Sequence, residues 1–123
     1  MLQRPRHEVT ACEDECKEVL ESQTAKMRAA LADEPTAGST DKHQAYVVKD
    51  IKLPGAIVGV CESRGFIERT LKNVVEPLVR QLHPDYRFDG LEIVRYATNC
   101  KTQQMKFTID VRVRMHKIRF RHS

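Results

Sequence analysis

The chain lacks long apolar runs, is poor in glycine and proline, and carries no motif of a familiar catalytic class. Each absence excludes something. Five glycines and five prolines among 123 residues are too few for collagen-like or low-complexity material. No stretch approaches the ~18 consecutive apolar residues of a membrane-crossing helix. The opening MLQRPRH has no apolar segment of the ~7–15 residues that a secretory signal needs. Arg4 and Arg6 hint at a mitochondrial leader, but Glu8, Glu13, Asp14 and Glu15 follow, and such leaders are poor in acids. The expectation is an intracellular protein, cytoplasmic by default, with a nuclear or mitochondrial address still open and no membrane contact.

Nucleophile-elbow, zincin, P-loop and dinucleotide-binding signatures are all missing. The expectation is therefore no enzyme, no cofactor and no metal. Four cysteines are present: Cys12, Cys16, Cys61 and Cys100. Without a signal peptide they read as reduced thiols. Cys12 and Cys16 are spaced i, i+4 and share a helix face. They are half of a twin C-x3-C pattern, and two ligands do not close a zinc site. They read as buried structural residues, since free cysteine behaves as a small hydrophobe. Cys61 stands before Glu62-Ser63-Arg64 at a strand-to-helix junction, where a helix N-terminus can lower a thiol pKa. Any strand followed by a helix gives that geometry, so an enzyme built on Cys61 is the outlying reading. His83 reads as a helix cap, not a metal ligand. Asp85 and Asp89 read as loop carboxylates.

Hydrophobic residues make up 41% and charged residues 31%, enough to bury a core, and the length fits one domain. Thr10-Ala-Cys-Glu13 has capping-box form. From there Cys12, Cys16, Val19, Leu20, Met27, Ala30 and Leu31 recur at three- to four-residue spacing. They predict one amphipathic helix of roughly 20 residues, ended by Asp33-Glu34-Pro35. Thr36–Gln44 is small and polar and reads as a mobile loop or linker. Ala45–Ile51 is strand-like, Leu53-Pro54-Gly55 a turn, and Ala56–Cys61 a short apolar strand. In the next helix Ile67, Leu71, Val74, Val75, Leu78, Val79 and Leu82 form the apolar face, and Pro77 predicts a kink or break near Val74–Glu76. Leu91–Thr98 is a strand. From Met105 to Met115 apolar and polar residues alternate strictly, which predicts a two-faced strand, with a slip in parity at His116-Lys117.

The fold class expected is α+β: a single small domain with order α-β-β-α-β-β, one helix packed on an antiparallel sheet, and an N-terminal amphipathic helix. Residues 1–35 form that helix, 36–44 the linker, and 45–123 the α+β domain. The stretch LPGAIVGVCESRG, from Leu53 to Gly65, resembles the early hairpin of roadblock-type dynein light chains, which also follow a helix–hairpin–helix–sheet order. The resemblance is confined to that stretch and carries over no functional residue.

Charge is divided unevenly. Residues 1–62 hold 8 basic and 11 acidic side chains, and residues 63–123 hold 13 and 6. Lys106, Arg112, Arg114, Lys117, Arg119 and Arg121 lie in the last segment beside one acid, Asp110. Two functions fit. In the first, the chain is a non-enzymatic interaction or adaptor subunit of a larger assembly, or a homo-oligomer. It binds a protein partner or itself through Cys16, Val19, Leu20, Met27 and Leu31 on the N-terminal helix and through the long C-terminal strand, by helix docking or strand addition. In the second it binds nucleic acid, RNA foremost, through those six basic residues. The same residues also suit an ordinary solvated sheet face or protection of an edge strand. No RNP-type aromatic motif, GxxG clamp or zinc-finger spacing is present, and Phe66, Tyr86, Phe88, Tyr96, Phe107 and Phe120 form no evident base-stacking platform.

Overall fold

The structure is a computed structural model, and it describes residues 6–53, 64–99 and 106–118, with side chains over 14–53, 66–97 and 107–118. In chain order these residues form α1 (Arg6–Glu21), α2 (Thr24–Ala32), β1 (His43–Leu53), α3 (Arg64–Leu82), β2 (Tyr86–Asn99) and β3 (Lys106–Lys117). Together they make a small α+β domain with three helices and a three-stranded antiparallel sheet in the order β1-β3-β2. The strand expected over Ala56–Cys61, and with it most of the light-chain-like stretch, lies outside the described residues.

The strict alternation of β3 has the consequence expected of a two-sided strand. Phe107, Ile109, Val111, Val113 and Met115 are all at most 3% exposed, while Arg112 is half-buried and Arg114 exposed on the opposite face. Register carries the pattern outward: Val111 pairs with Val48 of β1 and Ile93 of β2. Three bulges adjust it. One extra residue enters β1 between Val48 and Ile51, and one enters β2 at each of Phe88/Gly90 and Ile93/Arg95. Gly90 sits at φ +149, a backbone state that side chains disfavour, which is why glycine serves at that bulge. Asp50, in the β1 bulge, is left-handed at φ 56. Asp110 accepts its amide at 2.9 Å.

The N-terminal stripe forms two helices where one was expected. α1 starts at Arg6, so Thr10 lies within the helix and does not cap it. The break falls at Ser22-Gln23, where polar side chains take the carbonyls at the end of α1. The Ser22 hydroxyl donates to the Val19 carbonyl at 2.6 Å and the Thr24 hydroxyl to that of Glu21 at 2.6 Å. Such local side-chain bonds compete with helix propagation. The apolar face continues across the break, and Cys16, Leu20, Met27 and Leu31 are each at 0% exposure in one core with Ile67, Leu71, Val75, Leu78, Val79 and the inner sheet residues.

α3 runs unbroken through Pro77, so of the kink or break expected there the break does not occur. Proline there costs one amide donor, which would have met the carbonyl four residues back. That residue, Asn73, is exposed, and water can satisfy its carbonyl. β2 begins at Tyr86, five residues before the predicted strand, and Asp89 lies within it and not in a loop. The segment read as a linker is fastened to β1: the Thr36 amide donates to the Ala45 carbonyl, Ser39 Oγ accepts from the Ala45 amide, and Thr40 and His43 exchange bonds.

Candidate functional site: the uncovered face of the sheet

All the buried helix residues belong to one core with the inner face of the sheet. No described helix covers the other face. Its centre is the polar side of β3: Thr108, Asp110, Arg112, Arg114 and His116. Cross-strand neighbours on β2 bring acids to these bases, because directly opposed side chains share a face. Arg112 Nη1 donates to Glu92 Oε1 at 2.9 Å, and Arg114 Nη2 donates to the same oxygen at 2.8 Å. Arg95 meets Asp110 at 3.6 Å. His116 Nδ1 is hydrogen-bonded to Asp89 Oδ1.

Asp110 is the unusual member. Its neighbours in the alternation face solvent, yet it is 8% exposed. The β1 bulge folds over it, so its carboxylate takes the Asp50 amide on one oxygen and faces Arg95 with the other. A buried carboxylate is tolerated only with such partners. The arrangement is thus a lattice of both signs. It holds three arginines and three carboxylates, ordered Arg114–Glu92–Arg112 and Arg95–Asp110, with Asp89 at its end. Val94, the extra residue of the second β2 bulge, stands beside Arg95 and is 42% exposed.

The structure distributes the sequence-predicted residues differently from expectation. Cys16, Leu20, Met27 and Leu31 lie inside the chain's own core and Val19 is half-buried. The stripe read as a face for a partner is thus consumed by intramolecular packing, because α3 and the sheet offer it the same apolar burial. β3, read as an edge open to strand addition, is the central strand, with both sides already hydrogen-bonded to β1 and β2. Of the six basic residues, Arg112 and Arg114 share one carboxylate and Lys117 is exposed at the strand end. The side chain of Lys106, and Arg119 and Arg121 altogether, lie outside the described residues, as do Cys61, Cys100 and the side chain of Cys12.

Cys16 is a free buried thiol, its pKa pushed up to about 11 by burial and, secondarily, by the charge of Glu15. It is in a state suited to packing and not to nucleophilic attack. His83 does cap a helix, though not its own: its Nε2 lies 2.7 Å from the Leu31 carbonyl at the end of α2. Its ring packs between Tyr46 and Tyr86, at 5.1 and 6.1 Å. Burial and neighbouring Tyr86 raise the pKa of Tyr46.

Among the described residues no three His, Cys, Asp or Glu side chains come together as metal ligands. No described helix is long and apolar enough to cross a membrane. Shallow clefts lie among the described residues. One of about 450 Å³ lies between α3 and β2 (Arg69, Lys72, Glu76, Phe88), and one of about 480 Å³ lies between α1 and α3 (Asp14, Lys17, Thr70, Asn73). The acid that pairs with the β3 arginines, Glu92, was hidden from sequence reasoning, since it is 20 and 22 residues from them and becomes their neighbour only through the β2–β3 register. No known protein family matches the chain, and no curated protein or solved structure matches it.

Proposed function

We propose that the chain is a non-catalytic interaction subunit that associates with a second copy of itself through the uncovered face of its sheet. The observation that supports this reading is the charge lattice of that face. Arg95, Arg112 and Arg114 alternate with Asp89, Glu92 and Asp110, so the surface presents both signs at close quarters. A polyanion laid across it would meet three carboxylates. A copy related by a two-fold axis can set arginines against carboxylates across the seam, because the same patch, carrying both signs, lies on each side of it. Exposed Val94 supplies an apolar contact within the same patch.

Sedimentation equilibrium tests this. The wild-type chain is expected at twice its 14.2 kDa mass. The double variant Val94→Glu/Arg114→Glu, which adds two negative charges and removes one positive charge per copy, is expected at the single mass with an unchanged circular dichroism spectrum. A wild-type chain that stays single at every concentration overturns the proposal. So does a single-mass chain that becomes heavier only when RNA is added.

A further inference from the structure

We infer that His43 and His116 form a two-imidazole site for a divalent transition ion, zinc foremost, at one end of the uncovered face. The two residues are cross-strand partners on β1 and β3, so their side chains leave the sheet on the same side. Pairs in an antiparallel ladder alternate between a hydrogen-bonded kind and a closer kind, with Cα atoms about 4.5 Å apart. The Lys117 amide donates to the Lys42 carbonyl at 2.8 Å, which makes the next rung, His43 with His116, the closer kind. The backbone of His43 agrees. Its amide donates to Thr40 Oγ1 and its carbonyl accepts from the Thr40 amide, both away from β3.

The second observation is the tautomer of His116. Its Nδ1 is hydrogen-bonded to Asp89 Oδ1. A carboxylate only accepts, so Nδ1 carries the proton and Nε2 of the neutral ring keeps its lone pair. A carboxylate holding the far nitrogen of an imidazole is the usual support of a metal-binding histidine, fixing the ring and raising its basicity. Asp89 is the extra residue of the first β2 bulge, a device that re-aims a side chain. Arg87, opposite His116 on β2, disfavours a cation, and the Asp89 carboxylate offsets it. His43 is exposed and the His116 side chain is 36% exposed, so an ion can reach both. Imidazole suits zinc, copper and nickel. Two such ligands leave the other positions of a tetrahedral zinc ion to water. The site needs one copy of the chain only.

Calorimetric titration of the full chain with zinc chloride decides the matter. Wild type is expected to bind the ion, and binding should weaken about tenfold or more in His116→Ala and in His43→Gln. The second variant changes an exposed side chain and reads the site should the first not fold. Asp89→Ala, which keeps both ligands and removes the support, is expected to weaken binding about tenfold. Zinc should also raise the thermal midpoint of wild type but not of the histidine variants, because only the folded chain holds the two rings together. Magnesium, which takes oxygen ligands, should give no heat. A wild-type chain that takes up no zinc overturns the proposal. So does an affinity unchanged in any of the three variants, or magnesium binding as well as zinc.

Discussion

The two faces of the sheet come from the same strands and differ in what specifies them. On the inner face, Phe107, Ile109, Val111, Val113 and Met115 are buried against the helices, and their stabilisation is set by apolar area removed from water, which needs no particular partner. On the outer face, Arg112 and Arg114 hold one carboxylate between them and Asp110 holds a bulge. There the identity of each partner matters and the register must be right. One face is held by quantity and the other by pairing, so the two should respond differently to substitution.

The largest effect belongs to the inner layer. Leu20→Ala should cost about 2–5 kcal/mol, the range for a buried leucine that leaves a cavity, and Leu20→Asp should abolish the fold. Urea denaturation reads both. A folded, oligomer-free Leu20→Asp would mean that the N-terminal helix is dispensable to the core. Next comes the buried carboxylate of the outer face. Asp110→Ala leaves the Asp50 amide without its acceptor in a left-handed bulge and should cost about 1–3 kcal/mol. Loss of stability below that range would show that water replaces the carboxylate freely.

Cys16 gives the inner layer a pH signature. Its thiol is held protonated in the folded chain up to about pH 11, against an ordinary value of 9.0. Between these values the unfolded chain has released its proton and the folded chain has not, so stability falls as pH rises through that window. The decline should be shallower in Cys16→Ala, and equal slopes would remove the assignment. The smallest effect is expected where the charges are most conspicuous. Arg112→Gln or Arg114→Gln should each change stability by less than about 1 kcal/mol, because both ion pairs are half-exposed and screened.

This contrast also explains how much could be read in advance. Period-two alternation from Met105 to Met115 is local, and it identified every described inward residue of β3. The α+β class, the apolar face of α3 and the two-sidedness of β3 follow from such local periods. Position within the sheet does not, which is why β3 was legible as a strand but not as the middle one. The helix break at Ser22-Gln23 was masked by an apolar stripe that continues across it. Pairing of the β3 arginines depends on Glu92 of β2, which is brought beside them by the register of the two strands. A count of charge along one strand therefore overstates how cationic its face is. Burial of Asp110 depends on a bulge in β1, which no pattern in β3 announces.

The most direct test of the account asks whether those arginines are spent on their cross-strand acids or offered to phosphates. Fluorescence anisotropy of a single-stranded RNA oligonucleotide, titrated over a range of salt, reads this for wild type and for the Arg112→Gln/Arg114→Gln double variant. The account predicts the same dependence of log-affinity on log-salt in both proteins. A slope that shrinks by ~1.4 in the double variant, as for two lost phosphate contacts at ~0.7 each, would contradict it.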